Sequence, residues 1–339
     1  MPKQPLIVEV TRGPQVECRH RVHVCVSDLD GNLVRRHGDE HLRVLPRSAL
    51  KMLQALAMAE SGAVQAFDLS DFQLSLACAS HSSEPYHAQA VTGWLDSMGL
   101  GEDDLVCGGH WGFHQHVLIE QARAGDKPGP VYAECSGKHC GMLALAKHLG
   151  ADIRGYERVD HPVQQRIIGV IEAMSHSRIE LGNVGWDGCG APNYPLPLGH
   201  LALAMANWAD PQEQPARRQD AIERVTKAIW AHPEAIAGEG RYCTWANGLH
   251  TRAGTRLIAK TGAEGVFCAA LPDAGLGIAL KVEDGATRAS EVALTWILDQ
   301  LGVFDDLPPQ IAEEALARRQ PSIMDLSGQV VGQVRVAAP

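Results

Sequence analysis

The chain has 339 residues, 45% of them hydrophobic, and a formal net charge of −10. This composition is typical of a globular protein with a large core, and the acidic balance argues against nucleic acid and anionic membranes as partners. No apolar run reaches the roughly 18 residues that span a bilayer, so no membrane segment is expected. Because the amino terminus lacks an apolar signal segment, we expect a cytoplasmic protein.

The first part of the chain predicts strands followed by one helix. Strands are predicted at residues 6–12 and 16–28, where apolar and polar residues alternate. The turn residues Asp30-Gly31-Asn32 predict a hairpin with a short return strand. Pro46-Arg47-Ser48 then opens a helix that ends at Gly62.

Residues 65–245 are predicted to be mostly helical, with glycine-rich loops between the helices. The helix candidates are residues 71–78, 84–98, 112–124, 138–149, 161–174, 198–208 and 211–230. The end of the chain returns to strands and closes with an amphipathic helix. These strands are predicted at 255–260, 266–271 and 276–282, and the helix at 289–301.

Strands at both chain ends and helices between them predict an α+β fold. One antiparallel sheet would be built from the two ends, with a helical lobe inserted. We expect residues 1–62 and 250–339 to form the sheet-containing lobe and residues 63–249 to form the mainly helical lobe. Together they would make one intertwined catalytic unit.

Three short motifs follow one another in an informative order. Ser48-Ala-Leu-Lys51 is an S-x-x-K, and Lys260-Thr-Gly262 is a distant K-T-G. Ser48 and Lys51 would share one helix face, so the lysine could take the serine's proton. Ser80-His-Ser82 lies between the two motifs. This ordered set is similar to the catalytic signature of the serine β-lactamases and penicillin-binding proteins, and it indicates acyl transfer.

The nine cysteines are interpreted in two groups. A disulfide framework is not expected, and most thiols are predicted to be small buried side chains. That group is Cys18, Cys25, Cys78, Cys107, Cys243 and Cys268. The segments 134–140 and 186–190 instead place cysteines in polar, glycine-rich loops, where thiolates are candidate zinc ligands. Because no C-x-x-C is present, buried or free thiols remain the alternative there.

His110, His114 and His116 form a second pattern that resembles a metal site. Two glycines precede them, and no carboxylate or cysteine lies close in sequence. We therefore predict hydrogen-bonded or solvated histidines at the start of a helix.

Several of these segments together resemble the asparaginase II family, the class 3, rhizobial-type L-asparaginases. The resemblance covers about residues 6–335. The segments that carry it are Pro46-Arg-Ser-Ala-Leu-Lys51, Ser80-His-Ser-Ser-Glu-Pro85, Cys107-Gly-Gly-His110, Glu134-Cys-Ser-Gly-Lys-His139 and Asp187-Gly-Cys-Gly-Ala-Pro192.

The resemblance implies a serine β-lactamase-like fold, a homodimer, and hydrolysis of L-asparagine to L-aspartate and ammonia. It also implies two Ser–Lys pairs, Ser48 with Lys51 and Ser80 with Lys260. A Zn²⁺ ion is implied as cofactor, and the family's ligands fall on Cys135, Lys138 and Cys189. The candidate substrate-binding residues are Arg47, His139 and Asp187, of which the last two fall where the family lines its metal site.

Our mechanistic hypothesis makes Ser48 the nucleophile and Lys51 its base, with Ser80 and Lys260 passing a proton to the leaving ammonia. Two alternatives stay open. A serine-dependent glutaminase shares the S-x-x-K and the fold but has no evident need for the cysteine cluster. A non-catalytic sensor of a metal or amino acid would need only that cluster.

Overall fold

The computed structural model describes residues 4–337, so residues 1–3 and 338–339 of the predicted sheet-containing lobe lie outside the described part. The described strands are β1 Leu6–Arg12, β2 Gln15–Ser27, β3 Leu33–His37, β4 Arg43–Val44, β5 Gly185–Trp186, β6 Pro192–Asn193, β7 Leu196–Pro197, β8 Ile258–Thr261, β9 Val266–Leu271, β10 Leu276–Val282, β11 Ser322–Met324 and β12 Val330–Val336. The described α-helices are α1 Lys51–Ser61, α2 Ala63–Ala66, α3 Asp71–Ala77, α4 Pro85–Ser97, α5 Gln115–Ala124, α6 Ser136–His148, α7 Pro162–Ser175, α8 Leu198–Ala209, α9 Ala216–Ala231, α10 Pro233–Ala237, α11 Tyr242–Ala253, α12 Thr287–Gln300 and α13 Pro309–Arg319.

The chain divides into two compact units. The sheet unit comprises Met1–Ala49, Leu196–Asp210 and Leu249–Pro339. The helical unit comprises Leu50–Pro195 and Pro211–Gly248.

The main sheet of the sheet unit is antiparallel and combines strands from both ends of the chain. Its strand order is β11-β12-β1-β2-β10-β9-β8, and β3 also pairs with β2. Val8 on β1 pairs with Val336 on β12, and Val24 on β2 pairs with Leu280 on β10. This topology confirms the predicted α+β arrangement, with one antiparallel sheet from the two chain ends and helices between them in sequence.

Two helices cover the sheet on opposite faces. α8 packs on β2, β9 and β10, and it approaches the face that carries Gly277. α12 packs on β1, β2, β10 and β12. Its Arg288 contacts Cys18 and His20, which share a face of β2 with Val22. The sheet core therefore lies in two layers, one under each helix.

The helical unit is built around α1, which packs against α6, α7 and α9. Every α1 residue from Lys51 to Ala59 is buried, as expected for a helix surrounded by others. Among residues 4–337, no helix combines the length and the apolar character required to cross a membrane.

The cysteine prediction is confirmed for five residues and wrong for one. Cys25, Cys78, Cys107, Cys243 and Cys268 are buried. Cys18 is partly exposed on β2, where Arg288 donates a hydrogen bond to its sulfur. Local sequence patterns do not predict this contact, because Arg288 follows Cys18 by 270 residues.

Candidate active site

Lys51, the first residue of α1, is a buried lysine of the helical unit. Its side chain is 1% exposed. Nζ donates hydrogen bonds to the Ala79 carbonyl at 2.6 Å, to Ser80 Oγ at 2.9 Å and to Cys135 Sγ at 3.1 Å. A lysine, a serine and a cysteine from three predicted motifs therefore meet at one amine.

Ser80 lies in a buried loop between α3 and α4 that backbone hydrogen bonds hold in place. The Ser80 amide donates to the Ile236 carbonyl at 3.0 Å, and the His81 amide donates to the Glu134 carbonyl at 3.1 Å. Ser83 has a φ of +62°, in the left-handed region that non-glycine residues seldom occupy. Such conformations persist where the surroundings over-determine them, and they cluster at functional sites.

In the sheet unit, the Ser48 segment lies beside the K-T-G strand. Ser48 is partly exposed in a short 3₁₀ turn, Arg47–Leu50, and the preceding Arg47 has a φ of +54°. A Cβ on Gly262 would come within 2.4 Å of the Pro46 carbonyl oxygen and 3.2 Å of the Ala49 nitrogen. Glycine is thus required at the third position of the K-T-G motif for β8 to pack this closely.

Lys260, the first K-T-G residue, is fully buried on β8. It faces Cys268 across the β8–β9 pair, and its Nζ donates to the Thr261 carbonyl at 2.8 Å. Its predicted pairing with Ser80, like the pairing of Ser48 with Lys51, remains a prediction.

Cys135, Lys138 and Cys189 form a cluster in the helical unit. Lys138 Nζ donates to Cys189 Sγ at 3.0 Å, and the two thiols are hydrogen-bonded to each other. Cys135 is 6% exposed and Lys138 is 3% exposed. Between them, a Cβ on Gly137 would come within 2.3 Å of the Leu76 carbonyl oxygen, so glycine lets α6 begin directly against the end of α3.

Mutual hydrogen bonds and charge control the protonation of this cluster. The hydrogen bond from Cys135 and the nearby Lys138 ammonium outweigh burial and lower the pKa of Cys189 to about 4. The hydrogen bond with Cys189 and burial together raise the pKa of Cys135. Although burial opposes it, electrostatic attraction to the two sulfurs, one of them the Cys189 thiolate, raises the pKa of Lys138. In this state Cys189 is a thiolate and Lys138 an ammonium.

The donor set fits a zinc ion. Among residues 4–337, no group of three or more His, Cys, Asp and Glu side chains could hold a metal. The cluster instead converges two thiols and one amine, and sulfur and nitrogen donors suit Zn²⁺. Cys135 and Lys138 would each lose a proton on binding the ion.

His139 follows Lys138 on α6 and leaves one ring nitrogen without a partner. It is fully buried, and burial and the nearby Lys138 charge lower its pKa well below the usual value, so the imidazole is neutral. Its Nδ1 lies 2.7 Å from the Tyr156 hydroxyl, which accepts from the Val106 amide and so donates to the ring. Among the described protein atoms, Nε2 has no hydrogen-bond partner. His139 therefore presents an unused N–H donor.

Asp187 and Cys189 share a tight turn of the helical unit. The Asp187 amide donates to the Ala191 carbonyl, and the Gly190 amide donates back to the Asp187 carbonyl, each at 2.9 Å. This turn orders the loop that carries the Cys189 thiolate.

A buried polar network, which the sequence analysis did not single out, supports the Ser80 loop. Glu84 Oε2 lies 2.9 Å from His87 Nδ1, and His87 stacks on His81 with ring centroids 4.7 Å apart. His81 accepts from the Ser83 amide, so its Nε2–H donates to Ser136 Oγ at 2.9 Å. The available signal was an unbroken polar run, residues 80–84, just before an amphipathic helix.

His110 and the stacked pair of His114 and His116 make separate contacts. His110 Nε2 accepts from the Glu134 amide at 2.7 Å. His114 Nε2 lies 3.5 Å from Glu84 Oε1 and stacks on His116.

Comparisons with known proteins identify a family and distant structural neighbours. The family model described as L-asparaginase II matches residues 8–336. No curated protein matches the chain. The structure of Mglu in its native form in 4.3 M NaCl aligns with a TM-score of 0.47 and 12% identity, over 83% of this chain and 61% of Mglu. The D-alanine carboxypeptidase AmpC from Burkholderia cenocepacia aligns with a TM-score of 0.40 and 13% identity, over 88% of this chain and 92% of that one.

The chain thus spans about 61% of the length of Mglu. At these scores and identities, neither structure carries an argument about chemistry.

Proposed function

Because the chain belongs to the L-asparaginase II family, we propose that it converts L-asparagine and water into L-aspartate and ammonia. Membership of this family supports hydrolysis of the side-chain amide of asparagine or glutamine. That asparagine is the preferred substrate is the more specific claim of the proposal. The observation that carries it is the buried hydrogen bond from Lys51 Nζ to Ser80 Oγ, 2.9 Å long. Acyl transfer needs such an enclosed amine and hydroxyl to move protons at the reacting amide.

The S-x-x-K spacing assigns the first chemical step. Ser48 Oγ adds to the side-chain amide carbon of asparagine, and the Lys51 amine takes its proton. The C–N bond then breaks, and the nitrogen leaves as ammonia with a proton that reaches it through Ser80. The Lys51–Ser80 hydrogen bond supports this route because it joins the proton acceptor to the donor. Water hydrolyses the aspartyl ester and restores Ser48.

Three residues are proposed to bind the substrate: Arg47, His139 and Asp187. The unused Nε2–H of His139 supports its assignment, because a buried donor without a partner costs about 1–3 kcal/mol. An oxygen of the substrate or of a bound water would satisfy it. Arg47 is held in a strained conformation immediately before the nucleophile.

We further propose that Cys135, Lys138 and Cys189 hold Zn²⁺. When bound, the ion would supply a positive charge that positions the substrate. Ser48 already provides the nucleophile, so no zinc-bound hydroxide is required. The active form is proposed to be a homodimer, which sedimentation velocity would test; a monomer at micromolar concentration would contradict it.

The decisive experiment measures ammonia release from L-asparagine and from L-glutamine by wild type, Ser48→Ala and the control Ser97→Ala. Ser97 is an exposed residue whose hydroxyl only caps its own helix, by donating to the Trp94 carbonyl. We expect Ser48→Ala to lose about 10⁴-fold or more in kcat, since the covalent step disappears. Ser97→Ala should retain activity.

Hydroxylamine tests the intermediate in the same samples. It should divert the acyl-enzyme to aspartyl hydroxamate in wild type but not in Ser48→Ala. Full activity of Ser48→Ala would refute the nucleophile assignment. Faster release from glutamine would favour the glutaminase alternative, and no release from either amide would favour the sensor.

A further inference from the structure

A second cluster of reactive groups lies in the sheet unit, formed by Cys18 and His20 on β2 with Asp284 and Arg288 at the start of α12. His20 Nδ1 lies 2.6 Å from Asp284 Oδ2. Arg288 donates from Nε to His20 Nε2 at 3.1 Å and from Nη2 to Cys18 Sγ at 3.1 Å. Cys18 Sγ is also 3.8 Å from His20 Nε2. None of these four residues has a role in the proposed amide hydrolysis.

The hydrogen bonds determine the tautomer of His20. A guanidinium can only donate, so His20 Nε2 must accept from Arg288 and carries no proton. The ring proton is therefore on Nδ1, where it is donated to Asp284. His20 is 5% exposed, so this orientation is fixed by packing as well as by hydrogen bonding. An unprotonated imidazole nitrogen consequently faces the Cys18 sulfur.

The same surroundings place a positive charge beside the Cys18 sulfur. Arg288 supplies this fixed charge, and in the described chain it forms no ion pair with a carboxylate. Thiolates in such electropositive and partly exposed surroundings are the reactive form of cysteine.

The other thiols differ in access or in partners. Six cysteines are at most 2% exposed: Cys25, Cys78, Cys107, Cys140, Cys243 and Cys268. Cys135 and Cys189 belong to the cluster with Lys138. Outside that cluster, Cys18 is the accessible thiol of the described chain.

We propose that Cys18 is an oxidative modification site that reacts with hydroperoxides. The thiolate attacks one peroxide oxygen, so an S–O bond forms as the O–O bond breaks. Sulfur loses two electrons to the peroxide, and with hydrogen peroxide the leaving hydroxide takes up a proton to become water. The product is a sulfenic acid, whose anion Arg288 can stabilise as it does the thiolate.

The test treats the native protein with hydrogen peroxide and traps sulfenic acid with a cyclic 1,3-dione. Mass spectrometry then counts the label on each cysteine peptide. The tryptic peptide of residues 13–19 contains Cys18 alone among the cysteines, so its label is unambiguous. We expect Cys18 to be labelled at least about tenfold faster than Cys25. Equal rates would overturn the proposal.

A matched pair of variants tests the cause. Arg288→Gln removes the charge that contacts the sulfur, and we expect the Cys18 labelling rate to fall about tenfold. Arg19→Gln removes an equal charge from the adjacent residue of β2, whose side chain is 62% exposed and approaches Glu9 instead. This control should label like wild type. An unchanged rate in Arg288→Gln, or an equal fall in both variants, would refute the proposal. Ser48→Ala should label like wild type, so the result is independent of amide hydrolysis.

Discussion

At the scale of single residues, the amine of Lys51 is the most consequential group in the helical unit. Three acceptors lie 2.6–3.1 Å from Lys51 Nζ. Two of them, Ala79 and Ser80, belong to the loop after α3, and the third, Cys135, precedes α6. One side chain thus connects the proposed proton route to the proposed zinc ligands.

Replacing Lys51 with Met should separate its chemical role from its structural one. The change leaves the Ala79 carbonyl and the Ser80 hydroxyl without their buried donor, which costs about 1–3 kcal/mol of stability. Loss of the base should also reduce kcat by about 10²–10⁴-fold. Urea denaturation and ammonia release measure the two effects.

Lys147→Met is the matched control, because Lys147 Nζ donates to the Met98 carbonyl at 2.7 Å, away from these residues. We expect it to retain wild-type kcat. If Lys51→Met retained wild-type kcat as well, Lys51 would not be the base.

The sequence identified the individual site residues better than their contacts. Motif order and family resemblance indicated both Lys51 and Ser80. They paired Lys51 with Ser48 and Ser80 with Lys260, however, and did not predict the hydrogen bond that joins Lys51 to Ser80. That bond joins residues 29 positions apart, and it depends on how the loop after α3 is held against other segments. Neither local propensity nor hydrophobic periodicity describes such packing. The Cys18 cluster was missed for the same reason, because Asp284 and Arg288 are supplied by the far end of the chain.

At the scale of elements, the close approach of β8 to the Ser48 segment is directly testable. Gly262→Ala would place a methyl group 2.4 Å from the Pro46 carbonyl oxygen, which must move. We expect destabilisation, and a fall in kcat of about 10-fold or more, because small misplacements of reacting groups cost catalysis. Thermal melting and ammonia release measure both.

Gly169→Ala is the control for the Gly262 experiment. Gly169 lies exposed within α7, and a Cβ there meets nothing within 4 Å. Alanine should therefore stabilise the helix by about 0.5–1 kcal/mol without changing kcat. A Gly262→Ala enzyme as active as Gly169→Ala would show that the close approach has no catalytic role.

Elements with strong periodicity were predicted well, and short or irregular ones were not. Strand β9 has the predicted bounds, and α12 extends from Thr287 to Gln300 against a prediction of 289–301. Strand β12, at Val330–Val336, was missed because it buries only one of its residues and so has no clear alternation. Helix α9 begins at Ala216, after Pro215, rather than at 211. Helix α11 was also not predicted.

At the scale of the whole molecule, the predicted site residues are shared between the two units. Arg47, Ser48 and Lys260 belong to the sheet unit, and the other seven belong to the helical unit. Sequence order does not reveal this division. Helix α8, for example, was predicted among the helices of the middle region, yet it packs on the sheet. Periodicity indicates that such a segment has an apolar face, but not which partner will cover it.

Metal binding should stabilise the folded protein as a whole, since the folded chain brings the proposed ligands together. An ion at one hundred times its Kd adds about 2.7 kcal/mol to the free energy of unfolding. We expect Zn²⁺ to raise the Tm and chelation to lower it. This increment should disappear in Cys189→Ala and persist in Cys25→Ala, which removes a buried thiol from the sheet.

The pH dependence of that increment has a definite sign. In the metal-free protein, attraction to the sulfurs of Cys135 and Cys189 outweighs burial and raises the pKa of Lys138, and the pKa of Cys135 is raised as well. Zn²⁺ must displace both protons, so binding should strengthen as the pH rises from about 6 to 8. Cobalt(II) provides an independent readout, because thiolate coordination gives intense near-ultraviolet absorption. A thermal increment or cobalt spectrum that survives in Cys189→Ala would exclude this cluster as the metal site.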